Sequence, residues 1–370
     1  MPILIHKNAV VLSPFAGQTA GSHWAWGSGS NGRLWDNSTS NQNSPVQSVP
    51  GDTTWVRTSL GNTAAIGIKS DGTLWAGGYN GSGQCGQGHT TTPILSPVQI
   101  GSAKNWTDVG GSSHAGSAIN ASNELYTWGY NGQGGVGDGT TTNRSNPTQI
   151  AGSWKRVNQY ALNFMFAINT ADELYAWGDN ANGELGDGTT TTRSSPVQIA
   201  GSWLQAEGGM MCSTGIKTDG TLWTWGYNGY GQLGQGNTTD RSSPVQVGSA
   251  TNWRYCFAGG WSTGAINTSN ELWLVGRNSA GQLGVGDITG RSSPVQCAGA
   301  WAYAAMGNSG IAGIKTAGSL WSWGNGYVMA DGTAVAKSSP VQVGVATDWK
   351  KDYPSVLTFG RTSGQAIREV

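Results

Sequence analysis

Electrical charge is scarce in this chain. Only 11% of its 370 residues are charged, against about 25% in an average globular domain, and 20 basic residues balance 20 acidic ones. Nucleic acids are bound mainly through neutralised phosphate charge, and a neutral chain without a basic stripe is a poor match for them. The same balance argues against electrostatic docking on an anionic membrane. We therefore expect neither nucleic acid nor a membrane surface as the main partner.

Patterns typical of metal sites, membrane insertion and secretion are also missing. The four cysteines form no CxxC pair, and the four histidines are equally scattered. No apolar run reaches the roughly 18 residues of a membrane span. The first residues lack the basic and apolar regions of a signal peptide. We expect no metal, no cofactor and no membrane span.

Catalytic patterns are equally sparse. The string Gly260-Trp261-Ser262-Thr263-Gly264 matches the nucleophile-elbow pattern, but no helix is predicted after it, so we interpret the match as coincidence. The chain has no zinc-protease motif, no carboxylate pair with a suitable partner and no catalytic Cys/His set. We predict that the protein is not an enzyme.

What the chain has in abundance is repetition, because three markers each recur seven times at a spacing of roughly 50 residues. The prolines of a Ser-Pro-Val-Gln-like tetrapeptide are Pro45, Pro97, Pro147, Pro196, Pro244, Pro294 and Pro340. The tryptophans that follow are Trp55, Trp106, Trp154, Trp203, Trp253, Trp301 and Trp349. The isoleucines are Ile68, Ile119, Ile168, Ile216, Ile266, Ile314 and Ile367. Self-similarity at this period predicts a propeller or a solenoid.

A single repeat, residues 203–246, predicts four short strands. Asp219-Gly220 between two apolar runs indicates a tight hairpin, and Pro244 suits an outer strand, where a missing N–H costs little. Four-stranded units around an axis are typical of a β-propeller. Of the 19 tryptophans, 17 occupy three repeated positions, which indicates packing between blades. The two off-pattern tryptophans are Trp35 and Trp261.

The two ends of the chain complete each other. Residues 22–48 contain the second half of a repeat and residues 349–368 contain the first half. Together they form a seventh blade, which closes the ring and removes its exposed edges. We predict an all-β, seven-bladed β-propeller of four-stranded blades over residues 22–370. Its N- and C-terminal strands share one blade, and an arm of residues 1–21 precedes it.

The motif of these repeats resembles a known family. Its clearest copy is Leu222-Trp223-Thr224-Trp225-Gly226-Tyr227-Asn228-Gly229-Tyr230-Gly231-Gln232-Leu233-Gly234. This run and its counterparts resemble the regulator-of-chromosome-condensation repeat over roughly residues 22 to 368. The resemblance implies a seven-bladed propeller but no single function. The family includes a guanine-nucleotide exchange factor, a secreted bacterial β-lactamase inhibitor and many uncharacterised proteins. The near-identical Gly-, Thr- and Asn-rich repeats suggest a bacterial or viral member.

One position varies on this constant frame. Family repeats carry a histidine five residues before the isoleucine, and this chain keeps it once. The seven residues are Thr63, His114, Asn163, Met211, Trp261, Ser309 and Thr362. They fall in a turn between two strands, so all should emerge on one face, beside Tyr160, Phe164 and Met210. An apolar and aromatic group on a polar face predicts a partner-binding surface. The alternative is that Phe164 and Met211 fill the central channel.

Glycine-rich loops, such as residues 131–139, lack both the P-loop lysine and the calcium-loop spacing. We interpret their glycines as tight turns. A cation recurs three residues before the proline, as Arg144, Arg193, Arg241, Arg291 and Lys337. We expect these cations to pair with loop carbonyls or with Asp138, Asp187 and Asp287.

The N-terminal arm is apolar and prone to form a strand. Its apolar residues are Ile3, Leu4, Ile5, Val10, Val11 and Leu12. Adding a strand to a neighbour's sheet would bury them and could form an oligomer, whereas packing on the chain's own propeller is the alternative.

We therefore predict a non-enzymatic binding and assembly module for a protein or a surface glycan, anchored by its arm. Its most concrete form is a virion decoration or receptor-binding component at a virion or cell surface. An alternative is a soluble inhibitor or regulator that caps a partner protein. A nucleotide-exchange regulator is disfavoured because the chain lacks a charged face and a basic tail.

Overall fold

Short antiparallel strands make up almost all of the described chain. The computed structural model describes residues 19–158, 161–326, 329–351, 357–360 and 362–369. Within these ranges there are 27 strands and one 3-10 turn, Ser30–Gly32. The strands group into seven blades of four, named A to D from the ring centre outward. The predicted all-β, seven-bladed propeller is confirmed.

The first three complete blades follow the two N-terminal strands, β1 (Gly21–Gly27) and β2 (Gln42–Gln47). Blade 1 consists of β3 (Trp55–Leu60), β4 (Ala64–Lys69), β5 (Leu74–Gly78) and β6 (Ile94–Gln99). Blade 2 consists of β7 (Trp106–Gly111), β8 (Ala115–Asn120), β9 (Leu125–Gly129) and β10 (Arg144–Ile150). Blade 3 consists of β11 (Trp154–Val157), β12 (Phe164–Asn169), β13 (Glu173–Gly178) and the first part of β14 (Arg193–Gly208).

The remaining strands form four further blades. Blade 4 takes the second part of β14 with β15 (Cys212–Lys217), β16 (Leu222–Gly226) and β17 (Arg241–Gln246). Blade 5 consists of β18 (Trp253–Ala258), β19 (Ser262–Asn267), β20 (Leu272–Gly276) and β21 (Arg291–Cys297). Blade 6 consists of β22 (Trp301–Met306), β23 (Gly310–Lys315), β24 (Leu320–Gly324) and β25 (Lys337–Gln342). Blade 7 combines β26 (Leu357–Phe359) and β27 (Ser363–Glu369) with β1 and β2.

Blade 7 joins the two ends of the chain. Strand β27 pairs with β1 along its whole length, from Gly21 opposite Glu369 to Gly27 opposite Ser363. The order across this blade is β26, β27, β1 and β2, so the C-terminal part supplies strands A and B. The predicted closure of the ring by a shared blade is confirmed.

Backbone hydrogen bonds connect every blade to the next. An N–H in each C–D loop donates to a carbonyl of the next blade's strand D. The seven bonds are Asn37 to Leu95, Gly88 to Ser145, Gly139 to Ser194, Gly188 to Ser242, Gly236 to Ser292, Gly286 to Ser338 and Gly332 to Asn43. The belt is complete across blade 7, so the ring has no gap at this radius.

Tryptophans fill the space between blades, as their placement predicts. The indoles of Trp128, Trp177, Trp225 and Trp323 are fully buried. Each indole N–H donates to a carbonyl in the preceding blade's C–D loop, at 2.8–3.0 Å. Large apolar area and one satisfied polar group make such a residue an effective packing element.

At the interface of blades 7 and 1, the tryptophan that fills the space comes from the C–D loop of the first blade, as Trp35, instead of from strand C of the second. Blade 1 carries Gly77 where blade 2 carries Trp128, and Trp35 occupies the loop position that is glycine in blades 1 to 5. A Cβ on Gly77 would lie 2.7 Å from Nε1 of Trp35. Trp35 is fully buried, with its ring centroid 5.1 Å from that of Trp55. Trp35, singled out by the sequence as off-pattern, is thus a core residue and no part of an exposed surface.

Candidate functional site

The antiparallel order of the strands gives the ring two different faces. In every blade the A–B turn and the C–D loop emerge on one face, and the B–C hairpin emerges on the other. We name the face with the A–B turns and C–D loops the loop face. The variable position found in the sequence lies in the A–B turns, so all seven of its residues belong to the loop face.

The backbone holds the variable position in the same way in every blade. Its carbonyl accepts a hydrogen bond from the N–H of the residue that follows strand C. The seven acceptor and donor pairs are Thr63 and Tyr79, His114 and Tyr130, Asn163 and Asp179, Met211 and Tyr227, Trp261 and Arg277, Ser309 and Asn325, and Thr362 and Ser28. All seven acceptor residues are half-buried. Their side chains therefore vary on one fixed frame at the surface.

The A–B turns also bond to one another around the ring. The backbone N–H of one turn donates to a carbonyl in the turn of the next blade. The bonds are Asn62 to Ser113, Ser113 to Ala161, Leu162 to Gly209, Met210 to Gly259 and Gly260 to Gly307. This chain of bonds runs from blade 1 to blade 6. Side chains of neighbouring turns are consequently held at fixed spacing, which is the precondition for a preformed binding surface.

An aromatic cluster lies where blades 4 and 5 meet on the loop face. The ring centroid of Trp261 lies 6.0 Å from that of Tyr227 and 5.4 Å from that of Tyr230. The guanidinium carbon of Arg277 lies 5.6 Å from the Tyr230 centroid. Tyr230 is 44% exposed, and the other three residues are half-buried. We name these four residues the aromatic cluster.

Two methionines lie next to this cluster in the A–B turn of blade 4. Met211 accepts the Tyr227 N–H on its carbonyl, and the Met210 N–H donates to Gly259 in the turn that carries Trp261. Both methionines are half-buried. Flexible thioether side chains beside exposed rings adapt well to a partner's surface.

The remaining variable residues are mostly polar. Nδ1 of His114 lies 3.3 Å from Oδ1 of Asn163, so these two side chains meet between blades 2 and 3. The Thr63 hydroxyl donates to the Ser113 carbonyl. Ser309 and Thr362 carry the position in blades 6 and 7. Outside blades 4 and 5 the variable position is therefore polar, although Tyr79 and Tyr130 place further aromatic rings on the loop face of blades 1 and 2.

The sequence-based prediction that Phe164 belongs to the partner-binding surface is wrong. It lies on strand β12 and is fully buried, with its ring 5.6 Å from that of Phe166. Because strand alternation turns it into the blade interface, it is a core residue and cannot contact a partner. Tyr160 and the arm residues Ile3, Leu4, Ile5, Val10, Val11 and Leu12 lie outside the described residues.

Sequence reasoning missed three members of the aromatic cluster. Tyr227 and Arg277 occupy a second variable position, the residue after strand C, and Tyr230 lies three residues after Tyr227. The signal was present in the sequence, since this second position changes from blade to blade as the first does. The pairing of the two positions is a tertiary contact, and only the structure reveals it.

Buried asparagines organise the glycine-rich loops. The Asn131 amide donates to the carbonyls of Thr140 and Thr142, both at 3.0 Å, and its Oδ1 accepts the Val136 N–H at 2.9 Å. The equivalent residues are Asn80, Asn180, Asn228 and Asn278. The side chain thus occupies the loop centre, where a phosphate or calcium ion would have to bind. This supports the interpretation of these loops as tight turns.

Three of the five recurring cations pair with loop aspartates. Arg144, Arg193 and Arg291 bridge to Asp138, Asp187 and Asp287 at 2.6–2.7 Å, which confirms the predicted pairing for them. Burial alone would raise the pKa of Asp187, but hydrogen bonds from Thr189 and Arg193 outweigh it and hold this pKa below its ordinary value.

Buried polar groups near the ring centre have structural partners. The Gln205 amide donates to the Cys256 carbonyl and accepts the Cys256 N–H, at 3.0 and 3.1 Å. Arg57 pairs with Asp108 at 3.0 Å, and burial raises the pKa of this carboxyl while Arg57 opposes the shift. These side chains connect the A strands of adjacent blades, where unpaired backbone groups would be costly.

On the opposite face of the ring, lysine side chains lie over tryptophan rings of the same blade. Nζ of Lys217 and Nζ of Lys315 each lie 3.6 Å from a tryptophan centroid, those of Trp223 and Trp321. Lys69 lies 4.1 Å from the Trp75 centroid. Such intramolecular cation–π contacts stabilise the hairpins and occupy the ring faces. These tryptophans are half-buried, whereas Tyr230 on the loop face is among the exposed large hydrophobic residues, so the loop face is the better candidate for recognition.

Fold and site together define a class: a closed seven-bladed β-propeller whose loop face carries an aromatic cluster at blades 4 and 5. Among the described residues, no helix combines the length and apolar character that crossing a membrane requires. No group of three His, Cys, Asp or Glu side chains suited to a metal occurs among them either.

Part of the chain matches a known repeat family, and the fold is similar to that of solved structures. Residues 122–161, 171–215 and 219–266 match the regulator of chromosome condensation (RCC1) repeat. The fold is similar to that of Prp20p from Saccharomyces cerevisiae, with a TM-score of 0.82, 15% identity and coverage of 95% of this chain and 92% of that one. The fold is also similar to that of human WBSCR16, with a TM-score of 0.81, 17% identity and coverage of 95% of this chain and 99% of that one. The family match covers three segments between residues 122 and 266, and the likeness to the solved structures shows the shared propeller fold.

Proposed function

We propose that this protein is a non-enzymatic protein-binding module that recognises its partner through the loop face at blades 4 and 5. The aromatic cluster carries this proposal. Tryptophan, tyrosine and arginine are the residue types that most often dominate the energy of protein interfaces. Here all three occur together, partly exposed, on a rigid frame.

Proteins with this fold support a binding role. Prp20p was described with its binding properties to Gsp1p and histones, and Kap60 was crystallised bound to yeast RCC1 (Prp20). At 15% identity the likeness transfers no partner to this chain. It supports the view that a propeller of this type serves as a platform for other proteins.

The chemistry of the described residues favours a role without catalysis. All four cysteines are buried, and burial raises the pKa of Cys85, Cys212 and Cys297 to about 12. A thiol with such a pKa is not a nucleophile at neutral pH. The non-enzymatic part of the proposal rests on this observation together with the sequence.

The partner in this proposal is a structural neighbour or a receptor protein, with a surface glycan as the alternative. A decoration or receptor-binding role at a virion or cell surface is its most concrete form. Removing residues 1–18 tests the anchoring role assigned to the arm. If the arm anchors the protein, light scattering of the shortened chain detects loss of the oligomer or of its co-purifying neighbour.

A pull-down from the native source, read by mass spectrometry, tests the proposal. The baits are the full chain and its Trp261→Ala, Tyr230→Ala and Tyr130→Ala variants, the last being a matched tyrosine on blade 2. We expect the full chain and Tyr130→Ala to capture the same protein, and the two cluster variants to lose it. Equal capture by all four baits contradicts the proposed site, and capture of glycans alone contradicts the proposed partner class.

A further inference from the structure

Arg277, in the C–D loop of blade 5, differs from three of the arginines that begin strand D. Arg144, Arg193 and Arg291 each bond to an aspartate of their own loop. Arg277 has no carboxylate within ion-pair distance among the described residues. Its Nε donates to the Ser279 hydroxyl at 2.8 Å. The aromatic cluster therefore contains a positive charge that no acidic side chain of the described chain neutralises.

Two acids in the C–D loops of blades 4 and 5 have other partners. Asp240, in the C–D loop of blade 4, accepts the Asn228 N–H at 2.6 Å. Asp287, in the loop of blade 5, bonds to Arg291 at 2.7 Å. Neither acid is paired with Arg277, so its guanidinium remains the complementary group for an external anion.

The cluster orders this guanidinium before any ligand arrives. Its carbon lies 5.6 Å from the Tyr230 centroid, and Tyr230 is itself packed against Trp261 at 5.4 Å. A guanidinium stacked on an aromatic ring loses less freedom on binding than a flexible one. Its planar donors match the two oxygens of a carboxylate. The exposed rings beside it provide apolar contact area for a neighbouring side chain.

We propose that the aromatic cluster binds an acidic peptide segment of a protein partner. An aspartate or glutamate carboxylate pairs with Arg277, and an adjacent apolar side chain packs on Tyr230 and Trp261. This inference rests on the proposed function and adds the chemistry of the partner. A peptide suits the site because a carboxylate and an apolar group occur within a few residues of one another. The half-buried methionines Met210 and Met211 extend the apolar part of the surface.

A selection of short random peptides displayed on phage tests the inference. The targets are the full chain and its Arg277→Ala, Trp261→Ala and Arg193→Ala variants. Arg193 is the matched control, since it is an arginine of the same face that already has an aspartate partner. We expect the full chain and Arg193→Ala to enrich peptides with Asp or Glu beside an apolar residue. Arg277→Ala is expected to lose the acidic preference, and Trp261→Ala to lose enrichment.

Titration of one enriched peptide by fluorescence anisotropy gives the magnitude. We expect Arg277→Ala to weaken peptide binding about tenfold or more, and Arg277→Lys to keep part of the affinity. Added salt should weaken peptide binding by the full chain more than peptide binding by Arg277→Ala. Enriched peptides without acidic residues, or equal affinity for Arg277→Ala, overturn the acidic-segment inference and leave the protein-binding proposal standing. Absence of any Trp261-dependent peptide overturns the acidic-segment inference, whereas the pull-down alone decides the protein-binding proposal. Binding of carboxylated glycans alone also overturns the peptide as occupant.

Discussion

Side chains of the same type pack between the blades at one position and lie on the surface of the ring at another. Trp225 and Trp261 illustrate the difference, because the first is fully buried between blades and the second lies half-buried on the loop face. We predict that Trp225→Ala lowers the free energy of unfolding by about 3–5 kcal/mol. Trp261→Ala is expected to lower it by about 1 kcal/mol or less while abolishing partner binding. Urea unfolding and a pull-down measure the two effects, and a large stability loss for Trp261→Ala contradicts a surface role.

The exchange of tryptophan and glycine at the boundary of blades 7 and 1 gives a second prediction. Trp35→Gly empties the space that Trp35 fills, and Gly77→Trp alone places two indoles in one space, since a Cβ on Gly77 already meets Trp35 at 2.7 Å. Trp35→Gly should cost about 3–5 kcal/mol, and Gly77→Trp should cost about 3 kcal/mol, at the upper end for overpacking. The double variant recreates the arrangement at the interfaces of Trp128, Trp177, Trp225 and Trp323, and it should regain at least half of the loss. Additive costs in the double-mutant cycle would show that the two positions do not share one space.

Some residue roles could be predicted from the sequence and others could not. The regular tryptophans were recognisable as packing residues because their spacing repeats. Phe164 and Trp35 were not, since burial depends on which face of a strand or which side of an interface a side chain takes. Arg277 and Tyr230 escaped notice because their contacts cross from one blade to the next.

In blades 1 to 5 the C–D loop is a structural element built around one asparagine. In blade 2 the Asn131 side chain forms bonds to Thr140, Thr142 and Val136. Blades 6 and 7 carry Gly326 and Gly29 at the equivalent position, and loop carbonyls occupy the space there. A Cβ on Gly29 would lie 1.8 Å from the Ser40 carbonyl oxygen.

We predict that Asn131→Ala lowers the free energy of unfolding by about 2–4 kcal/mol, because it leaves buried backbone groups without partners. The loop of residues 131–143 should also become sensitive to limited proteolysis. Loop cleavage at the wild-type rate and unchanged urea unfolding would contradict this role of the asparagine.

His23 connects the two halves of blade 7. Its Nε2 lies 2.9 Å from Oε1 of Gln365 on β27, and its Nδ1 lies 2.8 Å from the Ser48 hydroxyl. Burial lowers the pKa of His23 from 6.5 to about 4, although the Gln365 bond and the charge of Asp52 oppose the shift. Asp52 is itself paired with Lys69, at 2.9 Å. The folded state therefore holds His23 neutral at a pH where the unfolded chain protonates it.

The sign of the pH effect follows from this lowered pKa. Stability from neutral His23 is fully present above pH 6.5 and is lost as the pH falls from 6.5 towards 4, by about 3 kcal/mol at most. His23→Gln removes the titration, so the difference in unfolding free energy between wild type and variant should shrink over this interval. Urea unfolding at several pH values measures it, with His89→Gln, at an exposed histidine, as the control. A difference independent of pH contradicts the assignment.

At the scale of the whole molecule, the sequence specified the architecture almost completely. Repeat count, strand number and closure by a shared blade all follow from periodicity, because each copy must solve the same packing problem. The binding surface does not follow from periodicity. It depends on which non-repeated side chains the ring brings together, as Tyr230 of blade 4 and Trp261 of blade 5 show.

Hydrogen–deuterium exchange of the full chain, free and with its captured partner, tests the central claim most directly. The account predicts slower exchange in Gly226–Gly231 and Gly259–Ser262, the two loop-face segments around the aromatic cluster. The hairpins of the opposite face, near Lys217 and Lys315, should exchange at the same rate in both samples. Protection confined to those hairpins would contradict recognition through the loop face.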